Sequence, residues 1–118
     1  RRSFIYIENL CHFIELTIGH PKAANEVFLV SDGVDFSTPE LIRTIAENMG
    51  RPSRLIKVPV SLLAGLTRLM GMDAQLFRLT SSLQLDISKA CNLLGWRPVV
   101  SAHIAMAEMA TAYRLQGE

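Results

Sequence analysis

Arg1-Arg2-Ser3-Phe4-Ile5-Tyr6-Ile7-Glu8-Asn9-Leu10 is the stretch from which the rest of the chain is read. Phe4, Tyr6 and the β-branched Ile5 and Ile7 favour an extended strand, because such side chains pack well on a pleated, half-buried surface. Two adjacent guanidiniums at its mouth carry forked donors suited to phosphate or carboxylate oxygens. From Glu8 the period changes. Leu10, Phe13, Ile14 and Ile18, with Cys11 beside them, follow the i, i+3, i+4 spacing of a helix stripe. A strand that runs straight into a helix, with arginines at its start, makes this stretch the edge of a candidate ligand site.

Working outward, the first helix spans Glu8 to about Ile18 and ends at Gly19, read as a left-handed C-cap with Pro21 beyond it. The apolar run Val27 to Val30 predicts a short buried strand over Glu26 to Ser31, turned by Asp32-Gly33. Ser37 and Glu40 are spaced as a capping box, with Thr38 as cap and Pro39 at the first helical position as the overlapping alternative. Leu41, Ile42, Ile45, Ala46 and Met49 supply that helix's stripe, and Gly50 with Pro52 stops it. Leu55 to Val58 reads as a third strand closed by Pro59.

Ser61 is placed to cap a helix running to Met70, with Leu62, Leu63, Leu66, Leu69 and Met70 on one face. Gly65 inside it costs up to about 1 kcal/mol relative to Ala, which close approach of another backbone would explain. Asp73 is read as the cap of a short turn, Ala74 to Leu79, and Asp86 as the cap of Ile87 to Leu94. Gly95 ends that helix, and Ser101 opens the last, whose face carries Ile104, Ala105, Met109, Ala112 and Tyr113.

A chain of 118 residues, 49% hydrophobic and 19% charged, is expected to form one domain with apolar material enough for a core. A net charge of +1 provides no basic field of the kind non-specific nucleic-acid binding requires, so no nucleic-acid partner is expected. Cys11 and Cys91 sit within apolar helical patterns and read as buried thiols rather than a disulfide framework, which suits a cytoplasmic protein. The greasy run from Val58 to Met72 is broken by Pro59 and Arg68 and is too short to span a bilayer. No signal peptide is visible, and no membrane partner is expected. His12, His20 and His103 lack ligand spacing with Cys, Asp or Glu, so no metal site is expected. The methionines fall on apolar faces and read as core filler.

Three stretches carry a resemblance. Arg2 to Leu10 resembles the Arg-x-aromatic-aliphatic-x-aliphatic-Asp/Glu-Asp/Asn-Leu segment that opens the substrate-domain half of extended short-chain dehydrogenase/reductases, the nucleotide-sugar epimerases and dehydratases. Val27-Phe28-Leu29-Val30-Ser31-Asp32-Gly33, followed by Ser37-Thr38-Pro39-Glu40-Leu41-Ile42, resembles that family's strand, small turn and S-x-x-E-L helix start. Leu85-Asp86-Ile87-Ser88-Lys89 through Leu94-Gly95-Trp96-Arg97-Pro98 is similar to its D-x-S-K and LGW-x-P signature. Their order and spacing cover essentially the whole chain and resemble most the UDP-sugar 4-epimerases and 4-ketoreductases of bacterial surface-polysaccharide synthesis.

The resemblance implies an α/β fold: a small, helix-rich, mixed α/β substrate-binding portion with a few short strands, its Rossmann core absent. Residues 1–118 would form a single C-terminal substrate-binding domain, and the Arg-Arg start suggests a piece cut from a longer protein. No Gly-x-Gly-x-x-Gly loop occurs among the scattered glycines. The family's catalytic Tyr-x-x-x-Lys pair is missing too, since Tyr6 is followed four residues on by Leu10, and Tyr113 by Gly117. NAD and the catalytic residues are therefore expected on an N-terminal domain of the parent protein, with no catalytic or cofactor residue here. By the resemblance, Arg2 and Arg78 bind the diphosphate of a nucleotide-sugar. From its position alone Arg2 is a solvated residue at a strand end. Asp86 and Trp96 are explained as a helix cap and a core aromatic. Self-association of the isolated chain is expected through the Leu62 to Met72 helix or the opening strand. The alternative is a stand-alone α/β binding or protein-interaction module without catalysis.

Overall fold

The extended character of the opening stretch is used sooner than its residues suggest. In the computed structural model, which describes residues 1–71 and 81–116, strand β1 is Arg2–Ser3 and helix α1 already runs from Ile7 to Gly19. β1 pairs antiparallel with β2 (Asp35–Phe36), Arg2 opposite Phe36 and Ser3 opposite Asp35. On its other side a parallel bridge joins Arg2 to Leu83, with Ser3 N–H donating to the Leu83 carbonyl at 3.1 Å and Leu83 N–H to that of Arg1 at 2.9 Å. Helices α2 (Thr38–Asn48), α3 (Val60–Leu69), α4 (Ser88–Leu94) and α5 (Ala102–Gln116) follow. The described residues thus form a small, helix-rich α/β unit whose one sheet is two-stranded.

Several of the residue signals for helix ends hold. Ser37 and Glu40 form both halves of the capping box: Glu40 N–H donates to Ser37 Oγ at 3.4 Å, and Ser37 N–H to Glu40 Oε2 at 2.8 Å. Ser37 rather than Thr38 is therefore the cap. Gly50 and Gly95 take left-handed φ of 65° and 66°, closing α2 and α4. Asp86, expected to cap a helix from Ile87, is displaced by one residue: its Oδ1 accepts the N–H of Ser88 at 2.8 Å and also its hydroxyl, but α4 starts at Ser88 with Ile87 in the cap position and no side-chain cap bond. Ser101 Oγ accepts Ile104 N–H at the start of α5.

Several expectations fail. The strand expected to continue through Ile7 gives way to α1 because the Asp32 carboxylate, far away in sequence, accepts Tyr6 N–H through both oxygens at 3.0 Å. Glu26–Ser31 makes no ladder: Phe28 and Val30 pack inward while Val27 is 80% exposed, so the apolar run covers the core from one side only. Leu55–Val58 is not a strand either, and Ile56 stands 88% exposed. Gly19 is not left-handed; α1 ends as His20 turns extended, the conformation favoured before Pro21. Pro59, not Ser61, precedes α3, without a side-chain cap. Nothing approaches Gly65 within 4 Å of where a Cβ would stand. Cys11 is exposed and Cys91 half-buried, and of the described methionines Met106 alone is buried. The turn expected at Asp73 to Leu79 lies outside the described residues.

Two clusters make the core. Phe13, Ala90, Leu94 and Trp96 join α1 to α4, with the Phe13 and Trp96 rings edge to face at 5.2 Å. Phe36, Ala102 and Met106, backed by Phe4, Leu41 and Ile45, join β2, α2 and α5. α3 stands outside both, with Leu62, Leu66 and Leu69 exposed to solvent.

Candidate functional site

Strand alternation sorts the opening residues onto two faces. On one, Arg2 lines a cleft of about 190 Å³ with Phe4, Phe36, Thr38 and Leu41. Thr38 is the first residue of α2, so the cleft borders the positive end of that helix's dipole, where negative charge is favoured. On the other, Arg1 donates from Nη1 to the Asp35 carbonyl and from Nη2 to Glu40 Oε1, both at 3.1 Å. Arg1 is thereby committed to the wall of a second cleft of about 250 Å³, shared with Val34, Thr44 and His103.

Asp35 links three chain segments. The Ser3 hydroxyl donates to Asp35 Oδ1 at 2.5 Å and accepts Leu85 N–H at 2.8 Å, while Gln84 Nε2 donates to Asp35 Oδ2 at 2.7 Å. The Ser3 hydroxyl, then the Gln84 amide, then the charge of Arg1 hold the Asp35 carboxyl below its ordinary range. Glu40 is lowered too, chiefly by the Ser37 backbone and hydroxyl and further by Arg1 and Arg43.

A second polar centre lies beneath the start of α1. Asn9 is fully buried, its Nδ2 donating to Asp32 Oδ1 at 2.7 Å and to the Val100 carbonyl at 2.9 Å, its Oδ1 accepting the N–H groups of Val99 and Val100 at 2.9 Å. Sequence reasoning passed over both residues, treating Asp32 as a turn residue. The available signal was Asn9 itself, an amide four residues before Phe13 and so on the same buried face of the helix.

Tyr6 donates its hydroxyl to Glu108 Oε2 at 2.7 Å. That bond, with a little desolvation and the charges of Glu108 and Glu8, pushes its pKa up to about 12, so the phenol stays protonated at neutral pH. His12 Nδ1 accepts from the Trp96 indole at 3.2 Å. Among the described residues no group of three His, Cys, Asp or Glu side chains is placed to hold a metal ion, and no helix is long and apolar enough to cross a membrane.

Of the two arginines singled out from the sequence, Arg2 lies in the cleft at the start of α2, and Arg78 lies outside the described residues. Leu83, shortly after Arg78 in the chain, is bonded beside Arg2. Compared with known proteins, the chain is 40% identical over 113 residues to a UDP-glucose 4-epimerase of Vibrio cholerae, an alignment covering 96% of this chain and 34% of that protein. The chain is similar to one part of an epimerase. It spans about a third of the length of the curated relative it matches. No protein-family model and no solved structure matches it.

Proposed function

We propose that this chain is the nucleotide-sugar-binding part of an NAD-dependent UDP-sugar 4-epimerase or 4-ketoreductase. The observation that carries the reading is the 40% identity to a UDP-glucose 4-epimerase along nearly the whole chain. The order of the motifs favours the surface-polysaccharide branch, acting in the cytoplasm. The left-handed glycines, Gly33, Gly50, Gly71 and Gly95, stand singly in separate turns and do not fit a dinucleotide's diphosphate. NAD, which accepts and returns a hydride in such enzymes, belongs in this reading to the rest of the longer protein. The work assigned to this chain is to bind and orient. Arg2, at the positive end of α2, holds the diphosphate from one side and Arg78 from the other, which presents the sugar to the absent catalytic residues.

The test is UDP binding by calorimetry in the full-length protein. Arg2→Ala removes charge-assisted, potentially bidentate bonds worth roughly 1.5 to 3 kcal/mol, which weakens UDP roughly ten- to a hundredfold. Arg2→Lys restores only part, keeping the charge but not the fork. Unchanged UDP affinity in Arg2→Ala would return Arg2 to a solvated strand-end residue. The exposed face of α3 supports a second reading, a protein-interaction module without catalysis. Self-association of the full-length protein without any nucleotide binding would favour it.

A further inference from the structure

Resting on the nucleotide-sugar reading of the Arg2 cleft, we propose that Asp35 is a positioning residue for that site, setting the register of the Arg2 strand against the segment that follows Arg78. Arg2 occupies the middle of a three-segment arrangement, paired with Phe36 on one side and bridged to Leu83 on the other. Both pairings are as short as pairings come, and two residues of ladder fix a register weakly. The Asp35 carboxylate supplies what the ladder lacks. From β2 it reaches past β1, taking the Ser3 hydroxyl on Oδ1 and the Gln84 amide on Oδ2. Ser3 in turn holds Leu85 N–H, so one carboxylate and one hydroxyl pin residues 3, 35, 84 and 85 together.

Side chains alternate along β1, so a one-residue slip would turn Arg2 out of its cleft and Ser3 into it. Asp35 itself faces the opposite side from Arg2, lining the Arg1 cleft, and acts on the ligand only through the strand.

The test compares UDP with UMP, whose affinities differ by the β-phosphate, in the full-length protein. Asp35→Ala, and separately Ser3→Ala, are expected to weaken UDP about tenfold, as misplacing a charged clamp does, with UMP affected much less. Asp35→Asn keeps the acceptor for Ser3 and offers its amide to a reoriented Gln84, so its UDP affinity should stay near that of the unmodified protein. If Asp35 acted only as a negative charge near an anion, both substitutions at position 35 would tighten UDP binding, which would overturn the proposal. Equal loss of UDP and UMP together with a lowered melting temperature would overturn it too, by showing general damage to the fold. Arg2→Ala separates this inference from the reading beneath it. If Arg2→Ala weakens UDP while Asp35→Ala and Ser3→Ala do not, the positioning role is wrong and the diphosphate reading stands. If Arg2→Ala is also without effect, the reading of the cleft falls with it.

Discussion

Asn9 uses both amide protons and both oxygen lone pairs in the interior, so its replacement strands several partners at once. Asn9→Ala is expected to cost about 3 kcal/mol in urea denaturation, the range for breaking a buried hydrogen-bonded network. Asn9→Asp should cost more, because it sets a carboxylate oxygen against Asp32 and the Val100 carbonyl. The titrating residues set both ends of the pH profile. Tyr6 is raised from 10.0 to about 12, so its contribution is full below pH 10 and lost as pH rises through 12. Tyr6→Phe should therefore flatten the alkaline limb of melting temperature against pH. Asp35, Glu40 and Asp86 are all lowered, so their contributions are present above their ordinary range, near pH 4, and lost as pH falls through their depressed values. Asp35→Asn should make the acid limb shallower. Arg2 was singled out because its motif is local, and it lines a cleft. Asp32 was not, because its partners, Tyr6 and Asn9, are distant in sequence and its role exists only once the chain has closed.

Element by element, what could be read was whatever a few neighbouring residues decide. The Ser37–Glu40 box and the left-handed Gly50 and Gly95 carry their geometry locally, and the start of α2 and the stops of α2 and α4 followed. Strands were misread because an apolar, β-branched run reports extended backbone, whereas a strand also needs a partner. Glu26–Ser31 finds none in the described residues. Two glycines test how far local rules reach. Gly95→Ala, at φ 66°, should destabilise by about 1 to 2 kcal/mol, the penalty for a Cβ in left-handed backbone. Gly65→Ala in α3 meets nothing within 4 Å and should stabilise, by up to about 1 kcal/mol, through helix propensity. A thermal melt in which Gly65→Ala lost stability would show that α3 needs its bare backbone for contact with something.

At the scale of the molecule, the radius of gyration is 17.9 Å, against about 13 to 14 Å for a compact chain of this size. Elongation follows from α3, which adds apolar surface without joining either core cluster; Leu69 is 87% exposed. The isolated chain should therefore associate at high concentration, and Leu62→Glu with Leu66→Glu should reduce that association in sedimentation. A strict monomer before substitution would count against the idea. Sequence reading named this greasy helix as one of two places where apolar surface would stay exposed, and its leucines do stand in solvent, but a stripe of leucines does not say what covers it. The buried amide of Asn9 sets a timetable for biosynthesis. Its partners at Val99 and Val100 leave the ribosome some 90 residues after Asn9 does. At about 5 to 20 residues per second, that leaves Asn9 with Asp32 but without its bonds to Val99 and Val100 for roughly five to twenty seconds. During that interval Phe13 also lacks Trp96, so the nascent α1 presents an uncovered apolar stripe that a chaperone can bind.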